Sequence, residues 1–304
     1  MISKPKNSGL LKKIRKSKAS YFFLVPFTLI FVTFTLMPVF IAIYYGFTQF
    51  DILRASKFIG LENYRRLLFE DDIFILSVRN TVVFAVITGP VSYLLSLLIA
   101  WFVNELSPKI RSVMTLLFYA PALTGSASIA IWMLIFSGDQ YGMLNSMLLD
   151  LGIITQPIAW LYNSNYMQGA IIVVVLWSSL GAGFLAFIAG FQTIPKDYYE
   201  AAAVDGLKNR FQELWFITLP SMRGQLMFGA IMSITTSFQI GDVVTTLCGF
   251  PSTNYAAHTI MNHLNDYGTI RYQMGYACAI ATVLFVIMVG SNKLIQKLIS
   301  KVGE

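Results

Sequence analysis

The chain has 304 residues, of which 56% are apolar and only 12% are charged, and its net charge is +7. A soluble domain carries about a quarter of its residues as charges because its surface must be solvated, so this composition excludes a soluble globule of that size. Cys248 and Cys278 stand alone, with neither a CxxC pattern nor a neighbouring ligand cluster. That argues against a disulfide framework or a metal site, and both read as small apolar residues.

Residues 1–20 form a basic tail that holds Lys4, Lys6, Lys12, Lys13, Arg15, Lys16 and Lys18. A basic stretch directly before an apolar run marks a cytoplasmic flank rather than a DNA-binding arm, so no nucleic-acid partner is expected. Residues 21–304 then read as one transmembrane domain. The first predicted span, Tyr21–Phe47, is too long for a signal-peptide core and is followed by no A-x-A site, so it reads as an uncleaved anchor. Further spans are predicted over Asn80–Val103, Ser112–Phe136, Gln168–Phe191, Gly224–Leu247 and Gly275–Leu298. Each meets the requirement of about 20 mostly apolar residues for crossing the hydrocarbon core. Pro38, Pro90 and Pro121 interrupt three of these runs and predict bends. Ser178, Ala182, Ala186 and Gly190 recur every fourth residue, a stripe that suits close helix packing or reflects only the general abundance of small residues in membrane helices.

Lys and Arg give the orientation. Sixteen lie on the N-terminal side of the predicted membrane and six on the other, so the positive-inside rule places both termini in the cytoplasm. The cytoplasmic side then receives Thr193–Arg223, a segment too polar to span. Pro195 is placed to start a helix, and Gly206 can supply the positive φ that ends one. Two short helices meeting at Gly206 are expected, projecting as one knob.

Glu200-Ala201-Ala202, then Gly206, then Ile217-Thr218-Leu219-Pro220 resembles the EAA loop of permease subunits in importers of the ABC type. The usual pattern has nine residues between the glycine and the isoleucine, whereas this chain has ten, Leu207–Phe216, which predicts a bulged or realigned second helix. Three further blocks resemble the carbohydrate branch of that family: Phe58-Ile59-Gly60-Leu61-Glu62-Asn63-Tyr64 followed by Asn80-Thr81, Tyr141-Gly142-Met143-Leu144-Asn145, and Asp242 late in the fifth span. The resemblance implies an all-α polytopic fold with about six transmembrane helices, like a type I ABC-importer permease. It implies that Glu200, Ala201, Ala202, Asp205, Gly206, Leu219 and Pro220 dock a cytosolic ATPase subunit. Small alanines let a helix sit close in a groove, and a docked carboxylate needs a cationic partner. The implied assembly holds a second permease subunit, two ATPase copies, an extracytoplasmic solute-binding protein and a sugar or oligosaccharide, or a phosphorylated glycerol ester.

No G-x-x-x-x-G-K-[ST] is present, so ATP hydrolysis is expected on another subunit and no cofactor on this one. His258 and His263 are five apart, unlike i,i+4 metal ligands, and read as solvated loop residues. Sugars need hydrogen-bonding groups and aromatic faces, so Trp177, Ser178, Thr235, Ser237, Gln239 and Asp242 are candidates for the substrate path. Each could equally be glue between helices. The segment Thr253–Tyr272, with Tyr255, Asn262, His263 and Tyr267, is either a contact for the binding protein or a cap over the cavity mouth. A self-contained secondary transporter or channel is the main alternative, and a membrane-anchored assembly or receptor protein is another. Against the first, the spans hold almost no ionisable residues.

Overall fold

The computed structural model describes residues 18–299, so the basic tail lies almost wholly outside the described residues. Among the described residues the fold is helical apart from a two-residue antiparallel pairing of Thr48–Gln49 with Lys57–Phe58. Among them, four helices are long and apolar enough to cross a membrane: Tyr21–Tyr45, Asp72–Asn104, Ser164–Thr193 and Met274–Lys297. Two bent pairs, Pro108–Thr124 with Ser126–Ile135 and Arg223–Phe238 with Gly241–Cys248, bring the number to six if each is one span.

The first span leaves its apolar window wholly unburied and touches the sixth span only through its last part, Met37–Tyr45. The second is longer than expected. It starts at Asp72 rather than near Asn80 because the Asp71 carboxylate accepts the Phe74 N–H at 2.9 Å, which satisfies one of the free donors of a helix start. Pro90 lies inside this helix without breaking it, although the Gly89 carbonyl next to it accepts the Ser233 hydroxyl of the fifth span at 3.0 Å.

The predicted single third span is instead two helices meeting at 93°. The turn falls at Gly125, with φ +54° and ψ −134°, a conformation that residues with a Cβ rarely adopt. Pro121 cannot donate a backbone hydrogen bond, and its own carbonyl is taken up by the hydroxyls of Thr124 and Ser128 at 3.2 and 3.4 Å. The fourth span is interrupted between Trp177 and Ala182, and the fifth bends by 42° at Gln239–Ile240.

The second half of the fourth span packs closely against the fifth. A methyl group on Gly229 would run into the Phe187 ring, and one on Gly190 would come within 2.7 Å of Met222 Cε. Close approach of this kind lets dispersion hold helices together where lipid removes the hydrophobic drive. The predicted small-residue stripe is only partly used. Gly190 is in the contact, but Ala182 is exposed and the break after Trp177 interrupts the stripe. One core gathers Ala100, Val103, Phe184, Phe187, Met222 and Leu226, and a second gathers Phe84, Ile171, Val174, Val244 and Leu247.

Candidate functional site

The polar segment Thr193–Arg223 folds as two short helices about Gly206. Lys196–Val204 forms the first, with Pro195 at its cap. Gly206 ends it at φ +95°, with Gly206 N–H bonded to Ala203 O and Leu207 N–H to Ala202 O, at 3.2 and 3.0 Å. This is a Schellman closure, and it spends two carbonyls that the helix end would otherwise leave bare. The second helix, Arg210–Glu213, is capped by Asn209 and runs into a π-turn over Leu214–Thr218. There the Leu219 N–H reaches back to Leu214 O, the wide turn that absorbs one extra residue. The tenth residue between Gly206 and Ile217 is accommodated in this turn.

Exposure divides the expected docking residues. Glu200 and Ala201 point outward together with Val204, whose surface is 88% exposed. The three share one helical face by their i, i+1, i+4 spacing. Ala202 is buried against the permease itself, so it belongs to the packed side of the helix rather than to the docking face. Asp205 and Pro220 are exposed, and Leu219 is half-buried. Val204 carried no motif signal, yet its position four residues after Glu200 placed it on that face.

The substrate-path candidates separate in the same way. Ser237 is buried and donates to Ser233 O at 2.6 Å beside Gly89. Thr235 donates to Ile231 O and Ser178 to Val174 O, each within its own helix. These three serve the fold. Trp177, Gln239 and Asp242 are exposed, and among the described residues Gln239 and Asp242 make no side-chain hydrogen bond or ion pair. They lie at the breaks of the fourth and fifth spans, with the Trp177 ring edge-on to Trp132 of the third at 5.5 Å. Thr236, one turn before Gln239, extends this polar face and was not anticipated. An exposed carboxylate and amide inside an apolar segment are costly against lipid and belong at a water-filled path or a protein partner.

On the opposite side, the histidines are not solvated. His258 and His263 are 1% and 2% exposed. His263 Nε2–H donates to Asp71 Oδ2 at 3.0 Å, and His263 Nδ1 faces His258 Nε2 at 3.3 Å. Tyr276 donates to the same Asp71 oxygen at 2.7 Å. Asp71, which holds His263, and Tyr276, which shares that carboxylate, are too distant in sequence for local spacing to reveal, whereas His258 packs against the nearby Phe250 and Tyr255 rings. Burial, with His263 alongside, pushes the His258 imidazole down to about 4. Burial alone would raise the Asp71 carboxyl, but hydrogen bonds from His263, Tyr276 and Phe74 N–H hold it well below the usual range. Of the segment Thr253–Tyr272, residues Ile260, Asn262, His263, Asp266 and Tyr267 are buried. Asn80 donates to Tyr255 O and His258 O at 3.1 and 3.0 Å, and Thr81 accepts the Ile260 N–H at 2.9 Å. The segment is a cap fastened to the second span, and the Asn80-Thr81 pair is the fastening.

The other resembling blocks are fasteners too. Asn63 donates to Gly46 O and Thr48 O, each at 2.9 Å. Asn145 donates to Ser137, Asp139 and Ile158 carbonyls and accepts from Ile158 N–H and Trp160 Nε1–H.

A family model described as "Binding-protein-dependent transport system inner membrane component" matches residues 9–301. The chain is 32% identical over 283 residues, 91% of its length and 89% of the relative's, to "Probable ABC transporter permease protein YesP" of Bacillus subtilis. It is 30% identical, over 90% and 86% of the two lengths, to "Arabinooligosaccharides transport system permease protein AraP" of the same organism. In fold it matches a chain of a bacterial ABC transporter "involved in the import of the acidic polysaccharide alginate", with a TM-score of 0.72 and 24% identity over 96% of this chain and 99% of that one. Matched along nearly its whole length, the chain belongs to the inner-membrane permease components of binding-protein-dependent ABC transport systems.

Proposed function

We propose that this permease forms half of the translocation path of an ATP-driven importer for a neutral or acidic sugar or oligosaccharide. The observation that carries the reading is the outward face of the helix Lys196–Val204, with Glu200, Ala201 and Val204 unpartnered among the described residues and the helix ended by a tight Gly206 closure. A rigid exposed helix with one carboxylate and small neighbours suits insertion into a groove of a cytosolic ATPase. The relatives support the sugar class: their names specify arabino-oligosaccharides, lactose and trehalose or maltose, and one specifies sn-glycerol-3-phosphate.

The first span, whose apolar window is unburied in this chain, is available to a second permease subunit as well as to lipid. Both termini and the Gly206 knob face the cytoplasm in this reading, by the distribution of Lys and Arg. The capped external side receives substrate from a solute-binding protein, and Trp177, Gln239 and Asp242 line the path. ATP binding draws the two knobs together and selects the outward-open packing of the helices.

The test is affinity purification of the tagged chain in mild detergent, beside its Glu200→Lys variant, with the co-purifying proteins identified. Recovery of an ATPase and a second permease with the parent chain, and loss of the ATPase from the variant, is the expected result. A chain that purifies alone or as a homo-oligomer, indifferent to the substitution, would overturn the reading.

A further inference from the structure

The knob that carries the coupling helix is not packed continuously against the membrane bundle. A polar cleft of about 360 Å³ separates them, bounded by Trp101, Glu105, Arg111, Gln192, Tyr199 and Arg210. Discrete contacts bridge it. Arg210 reaches Glu105 at 3.4 Å, but both side chains are well exposed, and an exposed pair contributes little. The Phe211 ring meets Trp101 edge-on at 5.3 Å. Leu214 and Leu219 pack against the core of Ala100, Val103 and Phe187, and within the knob one further contact is a directed chain. Thr218 is buried, and its hydroxyl gives its hydrogen to Glu213 O at 3.2 Å. Its oxygen is thereby left to accept from the Tyr199 hydroxyl, 3.0 Å away. Tyr199 lies on the coupling helix, while Thr218 closes the π-turn that leads through Pro220 and the fully buried Met222 into the fifth span.

We propose that Tyr199 is the positioning residue that locks the coupling helix to the π-turn, so that the helix and the fifth span move as one body when the ATPase closes. The geometry suits that task. The sequence connection between the two elements runs through Gly206, the half-buried Leu207 and the exposed Lys208 and Asn209, which is a poor lever. The hydroxyl chain short-circuits that loop. It joins the middle of the coupling helix to the point where the extra residue of the second helix is stored, and a π-turn is a natural place for a shift of one residue to begin. Without the chain, ATPase closure would drag the helix while the loop absorbed the displacement.

The inference rests on the coupling-loop reading above, and the experiment separates the two. The assembled importer, reconstituted in liposomes with its solute-binding protein, is compared as parent, Tyr199→Phe, Thr218→Val, Thr218→Ser and Glu200→Lys. Three quantities are read: ATPase retained on purification, basal ATP hydrolysis, and substrate taken up per ATP. Tyr199→Phe and Thr218→Val are expected to keep the ATPase and its basal turnover while uptake per ATP falls at least about fivefold, the low end of ordinary coupling energies. Thr218→Ser, which keeps the hydroxyl, should restore uptake per ATP. Unchanged uptake per ATP in both variants would overturn the lock and leave ATPase docking intact. Loss of the ATPase from Tyr199→Phe would also overturn it, since the residue would then be shaping the docking surface. Retention of the ATPase by Glu200→Lys would instead sink the coupling-loop reading itself.

Discussion

Asp71 and His263 lie 192 positions apart in sequence and meet at 3.0 Å inside the cap over residues 253–272. Through that contact the start of the second span holds the cap helix Ile260–Asn265, and Tyr276 adds the sixth span to the same carboxylate oxygen. One acidic side chain thus ties together three elements at one end of the bundle.

This arrangement predicts an acid-sensitive cap. His258 binds its proton at about 4 in the fold, against 6.5 when free of it. The unfolded state therefore binds more protons between those values, so the cap loses stability as pH falls through that window and regains it above 6.5. The full difference amounts to on the order of 3 kcal/mol. Asp71 acts in the same direction in a lower window, below the ordinary carboxylate range, because its folded carboxyl is held down. The protection factors of amides across residues 253–266, with the intrinsic exchange rate divided out at each pH, should fall between pH 7 and pH 5, and His258→Gln should flatten that change. Protection factors that are insensitive to pH in the parent chain would contradict it.

Asn145 gives a second prediction. Its amide makes five hydrogen bonds that hold the loop after the third span to itself. Truncation strands three part-buried carbonyls and the Trp160 indole N–H, at a local cost of about 1–3 kcal/mol. Asn145→Ala should open the segment 137–163 to limited proteolysis while the spans stay protected. Asn145→Asp should lie between, because its carboxylate still accepts from Ile158 and Trp160 but donates nothing to the three carbonyls.

The span pattern was legible because lipid demands long apolar helices whatever their tertiary contacts. The EAA loop was legible because its glycine and prolines fix backbone geometry locally, and even the extra residue before Ile217 announced the π-turn. What escaped depended on contacts between distant residues. The hydropathy of Ser112–Phe136 is continuous, so nothing in it told a straight span from two helices at 93°; Gly125 permits the turn without demanding it. His263 looked solvated because its partner Asp71 lies beyond local spacing. Ala202 looked equivalent to Ala201, although helical geometry turns one toward Glu200 and the other inward.

Close packing of the fourth and fifth spans supplies a third prediction. Gly229 admits no side chain, because a Cβ would overlap the Phe187 ring. Gly229→Val should cost about 1–3 kcal/mol through overpacking and should lower the apparent Tm in detergent. Gly224, on the same helix with open space around its Cβ position, is the control: Gly224→Ala should leave Tm unchanged or raise it slightly.

The outward faces of Ala201 and Val204 predict a specific asymmetry on the coupling helix. Val204→Glu introduces a charge where the helix is most exposed and should weaken retention of the ATPase without disturbing the fold. Ala202→Leu enlarges a buried position and should lower stability instead. If Ala202→Leu released the ATPase as readily as Val204→Glu at unchanged Tm, the assignment of faces would be wrong.

The last prediction separates path from glue within the fifth span. Ser237 is buried, spends its hydrogen on Ser233 O and abuts Gly89 of the second span. Gln239 and Asp242, two and five residues later, are exposed and have no side-chain partner among the described residues. Ser237→Ala should therefore cost about 1 kcal/mol of stability and leave transport per folded molecule intact. Gln239→Ala and Asp242→Asn remove groups that contribute nothing to packing, so Tm should hold while substrate uptake falls. The size of that fall follows the loss of charged or neutral hydrogen bonds to a hydroxylated ligand, about 5–30-fold for a change of 1–2 kcal/mol. Uptake measured in the reconstituted importer at matched protein levels decides it: parallel losses of Tm in all three variants would make Gln239 and Asp242 structural, like Ser237.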